Sequence, residues 1–404
     1  MKRWFIAFFL LAQTAAAQLP AGWYRASVLR PDGAALVFNF EAQRTTGSLR
    51  LYIRNGSERL LVEEVREQGD SLFAEMPFFE ARLRFRVLPN DRLTGTWSKG
   101  TAGADLELPV TATPGGEERF PGSRPASGQL APKWAVTFTR PNGTERPALA
   151  LFEQNGSAVT GTFLTPSGDY RYLEGVLDAD TLRLSCFDGS RAYLFTAALR
   201  NGQLTAGRFY SNAAPVETWR AVADARATLP DTVLQTQLKP GFTRLSFRFP
   251  DLTGQPVSLD DERFRGKVVV VQLMGSWCPN CLDESRFLST FYNEYREKGV
   301  EVVALAYELT LQPERIRSGL GKLVQRIGIR YPVLVAPVTV SDPQKTEKTL
   351  PQLNSVHYFP TTIFLAKDGS VHKIHQGFYG PGTGEYFTRF RDDFYRTINR
   401  LLNE

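Results

Sequence analysis

Val268-Val269-Val270-Val271-Gln272-Leu273-Met274 runs through Gly275-Ser276 into Trp277-Cys278-Pro279-Asn280-Cys281. The first seven residues are an almost unbroken apolar, β-branched run, the pattern of a strand covered on both faces. Two thiols spaced C-x-x-C follow at the start of a predicted helix. Only three cysteines occur in 404 residues, and two of them stand here. That concentration marks the strand–helix junction as a dithiol/disulfide switch.

Thiol–disulfide exchange needs a thiolate, and unpaired N–H groups and the dipole at a helix N-terminus favour negative charge there. Cys278 takes that position. Cys281, one turn later, lies beneath it and is more enclosed. Cys278 is therefore expected to attack a substrate disulfide, and Cys281 to resolve the mixed disulfide. Downstream of about residue 244 the spacing predicts strands at 268–274, 300–306, 331–336, 361–365 and 370–376, with helices at 283–298, 313–327 and 384–402. This alternation indicates an α/β layer around a central sheet. A short helical connector is expected over 225–238.

The first half of the chain has another character. Arg30-Pro31-Asp32-Gly33 recurs as Arg140-Pro141-Asn142-Gly143, and Asp70-Ser71-Leu72 as Asp180-Thr181-Leu182, each 110 residues on; Trp23 and Trp134 are 111 apart. A period this long, beyond solenoid repeats of ~20–50 residues, means two copies of a small domain. Alternating stretches such as 71–76 and 82–87, and turn dipeptides at Asn55-Gly56, Asn155-Gly156, Asp188-Gly189 and Asn201-Gly202, predict short strands in a sandwich or small barrel. Trp23, Trp97, Trp134 and Trp219 are expected in the two cores, and the lone Cys186 as a buried small hydrophobe.

Met1-Lys2-Arg3, the apolar run from Trp4 to Leu11 and Ala15-Ala16-Ala17 have the order of a secretory signal ending at residue 17. The apolar core is too short to span a bilayer, and with no lipobox cysteine the mature protein is expected to be periplasmic or otherwise exported, and not membrane-spanning. The net charge of +6 is scattered, which argues against nucleic-acid binding. The low, odd cysteine count excludes a disulfide framework.

Residues 246–404 resemble the exported TlpA/ResA-like branch of the thioredoxin superfamily. The resemblance rests on Phe249-Pro250-Asp251-Leu252 through Leu259, Arg265-Gly266-Lys267 with the strand that follows, Trp277-Cys278-Pro279-Asn280-Cys281 with Glu284, and Phe359-Pro360-Thr361-Thr362. It implies a thioredoxin-like α/β domain, preceded here by the duplicated all-β region. The expected division is signal 1–17, β-rich repeats 18–114 and 128–222, linker 223–243 and thioredoxin-like domain 244–404. It further implies a cis bond before Pro360, with Trp277, Pro279, Phe359 and Pro360 forming the substrate-facing surface. Glu308 is implied as proton partner of Cys281. The buried Asp of cytosolic thioredoxins is replaced by Gln272, which cannot carry a proton. Glu284 is expected on a solvated helix face. Many relatives have proline where Asn280 stands, so the motif leaves the direction of electron flow open.

The implied activity is thiol–disulfide oxidoreduction, in the reducing direction, on disulfide-containing protein substrates. The Cys278–Cys281 pair is the redox group, with no other cofactor and no metal, and a membrane thiol relay is the electron donor. A thiol peroxidase is disfavoured because Gly275 occupies the place of the peroxide-orienting Thr or Ser. A copper site is disfavoured by the cysteine spacing, with His372 and His375 expected on the surface of a strand. In a further alternative, the β-repeats are a ligand- or protein-binding module with an accessory redox domain.

Overall fold

A computed structural model describes residues 18–45, 47–230 and 235–404; the expected signal segment, 1–17, lies outside them. The all-β region consists of two antiparallel sheets in the same meander order. In the first, Gly22–Leu29 pairs with both Ala35–Thr45 and Leu106–Pro114, so the sheet curls until its outermost strands, Glu58–Val62 and Val65–Gln68, are neighbours in sequence. In the second, Lys133–Thr139 pairs with Glu145–Asn155 and Glu217–Ala223, and Glu145–Asn155 pairs onward with Ala158–Thr165, which closes the ring. In the second sheet this closure removes the unpaired edges that an open sheet presents. The architecture is therefore barrel-like rather than a sandwich. Trp97, Trp134 and Trp219 are buried in it, whereas Trp23 is only half-buried, its ring covered by Arg54.

The barrels are fastened to one another through Phe187. Its ring stacks on Phe38 of the first barrel at 4.1 Å and meets Trp97 edge-on at 5.4 Å. Asn55 donates to Phe187 O at 2.8 Å and accepts from Phe187 N at 3.0 Å. Full burial of one such ring contributes ~1.5–3 kcal/mol, and the paired amide leaves no polar group of the strand end unsatisfied.

The C-terminal domain has a five-stranded sheet in the order Val333–Val335, Val300–Ala306, Val268–Met274, Thr361–Leu365, Val371–Gln376. The first three are mutually parallel and the last two antiparallel. Every residue of Val268–Met274 is buried. Val268 and Val270 pack towards Pro279–Tyr295 and Glu385–Asn403, whereas Val269 and Val271 pack on the opposite face. That opposite face is covered by residues such as Phe247, Phe249, Val257 and Leu353 rather than by a long helix, so both faces are dry and the apolar run is continuous. One apolar cluster joins the first barrel's core to the helical face of this sheet, so the domains form one packed body.

Three expected elements differ. The first helix spans Pro279–Tyr295, beginning four residues early because Cys278 caps it and Pro279 needs no N–H partner. The strand expected at 331–336 shortens to Val333–Val335. No helix forms at 225–230 or 235–238 (231–234 lie outside the described residues). There the backbone is satisfied by the C-terminal domain instead: Thr236 N donates to Gln376, Gln237 N to Asn354, and Leu238 bridges Leu353. Among the described residues no helix is long and apolar enough to cross a membrane.

Candidate active site

The central strand ends at Met274, and Gly275 turns the chain into the helix. A Cβ on Gly275 would collide with the Trp277 ring and Tyr307 O. Cys278 is the helix N-cap, with extended backbone, and its Sγ accepts from Cys281 N at 3.2 Å. A sulfur in this position meets the unpaired end of the helix, where negative charge is favoured. Both thiols are free and buried, Cys278 5% and Cys281 0% exposed. Burial pushes the Cys281 thiol well up, reinforced by its contact with Cys278 and by the charge of Glu284.

Phe359 and Pro360 lie against the first thiol. The Phe359–Pro360 bond is cis, and Cys278 Sγ lies 3.7 Å from Phe359 O. Trp277 is pinned by its Nε1–H donating to Tyr307 O at 2.8 Å, and its ring meets Phe359 edge-on. Glu308, at the end of the neighbouring strand, accepts from Ser276 N at 2.8 Å and from Ser276 Oγ at 2.6 Å. Burial raises its carboxyl and the charge of Glu80 adds to that, while the two Ser276 bonds pull the other way. Glu308 and Cys278 line a cavity of about 470 Å³ to which all three domains contribute, including Glu80 and Lys99 from the first barrel and Arg191 from the second. This is within the usual ~300–1,000 Å³ of small-molecule sites.

Glu284 overturns its expected place on a solvated face. It is fully buried, accepting from Thr362 Oγ1 at 2.5 Å and Gln272 Nε2 at 2.8 Å. Burial raises its carboxyl from 4.5 to about 7, against the effect of those two bonds. The side chain that could not carry a proton, Gln272, thus holds one that can.

The sequence reading missed the contribution of the second barrel. Asn280 Nδ2 donates to Asp169 O and to Phe378 O, both at 3.2 Å, and its Oδ1 accepts from Arg191 at 2.5 Å. Arg171 donates to Pro279 O at 3.2 Å and to Asp283 at 2.5 Å, and pairs with Glu58 of the first barrel. Ser190 Oγ bonds to Trp277 O at 3.4 Å. Gly168 lies so close that a Cβ on it would strike the Asn280 amide. Two signals pointed here: the departure from proline at Asn280, since proline has no side-chain amide, and the Asp188-Gly189 turn, which carries Ser190 and Arg191.

The remaining candidates lie apart. Cys186 is in the second barrel's core, its thiol pushed up by burial. His372 is exposed, but His375 is partly covered by Phe390. Among the described residues no cluster of three or more His, Cys, Asp or Glu side chains could hold a metal ion.

Residues 235–383 match the Redoxin family. The chain is 28% identical over 144 residues to the thiol-disulfide oxidoreductase ResA of Halalkalibacterium halodurans, covering 34% of this chain and 69% of that protein. It is 29% identical over 143 residues to ResA of Geobacillus kaustophilus, covering 35% and 72%. With ResA of Bacillus thuringiensis strain Al Hakam it shares 29% over 126 residues, 31% of this chain and 63% of that protein. Among solved structures, a putative thiol:disulfide interchange protein DsbE from Chlorobium tepidum aligns with 41% of this chain and 99% of its own, at 21% identity and a TM-score of 0.31.

Proposed function

We propose that this chain, whose residues 235–383 are a Redoxin domain of thiol-disulfide oxidoreductase type, works outside the cytoplasm as a reductant of protein disulfides. The observation that carries the chemistry is the placement of Cys278. Its sulfur caps the helix, faces the Phe359–Pro360 backbone, and has Cys281 enclosed directly behind it.

The thiolate of Cys278 attacks one sulfur of the substrate disulfide. The S–S bond breaks, the other substrate sulfur leaves as a thiolate, and a mixed disulfide joins Cys278 to the substrate. Cys281 then loses its proton and attacks Cys278 Sγ, which releases the second substrate thiol and closes the Cys278–Cys281 disulfide. The substrate gains two electrons and the protein dithiol loses two. The two carboxyls divide the proton traffic. Glu284, with a carboxyl raised to about 7, takes the Cys281 proton. Glu308, on the cavity wall, holds Ser276 ahead of the nucleophile and faces the leaving thiolate. Trp277, Pro279, Phe359 and Pro360 form the substrate side.

Export follows from the leader-like order of residues 1–17. In an oxidising compartment a reductant must be recharged, and a membrane thiol relay is the donor this reading requires. Insulin disulfide reduction tests the assignment: Cys278→Ser is expected to abolish it, and full retained activity would remove the assignment. A reduction potential near about −270 mV supports the reducing direction, and one near about −120 mV reverses it.

A further inference from the structure

We infer that the second β barrel is a working part of the redox centre, and that Arg191 is the positioning residue that sets the balance between dithiol and disulfide. This rests on the oxidoreductase reading and adds a role for the duplicated region.

This barrel bonds to the C-terminal domain at Asp283, Tyr379 and Gly380, and most closely around the active-site turn. Ser190 reaches Trp277 O, Arg171 reaches Pro279 O, and Asn280 is held by Asp169 and Arg191. These are the residue before the nucleophile and both residues between the cysteines. Every residue from Trp277 to Cys281 other than the two cysteines is thus bonded to this barrel.

Arg191 is the member placed to act on charge. It follows the Asp188-Gly189 turn between Thr181–Phe187 and Ala192–Arg200. Its guanidinium bonds to Asn280 Oδ1 at 2.5 Å, reaches Asp169 O at 3.4 Å, and lies over the Tyr193 ring. It also shares the cavity wall with Cys278. The charges that face it are Asp188, of opposite sign, and Arg171 and Lys99, of the same sign. Asp188 accepts from Ser190 N and Arg191 N through one oxygen, so the loop's own backbone holds it. Arg171 is occupied by Asp283 and Glu58. Arg191 has no carboxylate within ion-pair distance among the described residues, so Asp188 offsets its charge only at longer range, and Cys278 lies within the reach of that charge as well.

A cation beside the nucleophile favours the form that carries a thiolate. That form exists only in the reduced protein, so Arg191 stabilises dithiol over disulfide and makes the pair a weaker reductant. Asn280 supplies the coupling, because its amide bonds the barrel to the loop between the two sulfurs.

The test is the equilibrium of the full chain with glutathione, in which the protein dithiol and one oxidised glutathione give the protein disulfide and two reduced glutathiones. Arg191→Gln keeps a donor for Asn280 Oδ1 but removes the charge; Arg191→Lys keeps the charge. Arg191→Gln is expected to shift the equilibrium roughly tenfold towards the protein disulfide, the size of one decade in thiolate stability, and Arg191→Lys by much less. Folding is checked by the thermal transition of each variant, and Arg191→Met serves in place of the glutamine variant should that one not fold. Equal equilibria in the wild type and a folded neutral variant would overturn the role of Arg191. Failure of the wild type to equilibrate with glutathione at all would instead overturn the oxidoreductase reading.

Discussion

Replacing Glu284 with glutamine should change the pH dependence of stability in a defined direction. The carboxyl lies fully buried between Thr362 and Gln272, with proton affinity raised from 4.5 to about 7. Between those two values the folded protein retains a proton that the unfolded chain has released. The unfolded state then binds fewer protons, so stability falls as pH rises from about 4.5 and levels off above about 7. At about 1.4 kcal/mol per tenfold change in proton affinity, the loss is about 3 kcal/mol. Glu284→Gln removes the titration. In paired denaturant titrations, the variant should gain about 3 kcal/mol relative to wild type between pH 4 and pH 8.5. Its absolute stability at pH 8.5 should rise by less, because the new amide can accept from only one of the two donors. In the same variant, resolution of a preformed mixed disulfide at Cys278 should slow by about 10²-fold, the lower range for loss of a positioned acid–base group. A stability difference that stays constant across this pH range would refute the raised carboxyl. An unchanged resolution rate would refute Glu284 as the proton acceptor of Cys281.

Arg171→Met should cost about 3–5 kcal/mol in denaturant unfolding, because it strands the enclosed Glu58 carboxylate without an ionic partner and leaves the buried Asp283 with only the half-exposed Arg286. By contrast, Arg389→Met, which removes an exposed pair with Glu385, should cost less than about 1 kcal/mol. Cys186, buried in the second barrel, should resist a thiol reagent in the reduced native protein and react only on unfolding. A thiol count that includes Cys186 before unfolding would contradict its placement.

The α/β domain was legible because a strand buried on both faces cannot alternate, and Val268–Met274 does not. The repeats were legible because barrel strands alternate, and turn residues such as Gly56 and Gly156 sit at positive φ. The misreading of Glu284 has a physical source. A helix packed on a sheet is expected to leave an outer face in water. Here every residue from Pro279 to Ser285 is buried: the second barrel covers Asn280 and Asp283, and Glu284 lies on the helix face turned to the domain's own sheet, against Gln272 and Thr362. Asn280, Asp283 and Glu284 are polar residues satisfied by partners far away in sequence, such as Arg191, Arg171 and Thr362. No local periodicity encodes such partners. The extended chain near Leu238 has the same cause, since its backbone partners, Gln376 and Asn354, stand 140 and 117 residues further along the chain.

The central claim is that Cys278 attacks and Cys281 resolves. Its most direct test is trapping with Cys281→Ala in the full chain, offered a disulfide-bonded protein substrate and then analysed by peptide mapping. The account predicts a stable mixed disulfide at Cys278, reversed by dithiothreitol and absent from Cys278→Ser. A mixed disulfide at Cys186, or none at Cys278, would contradict it.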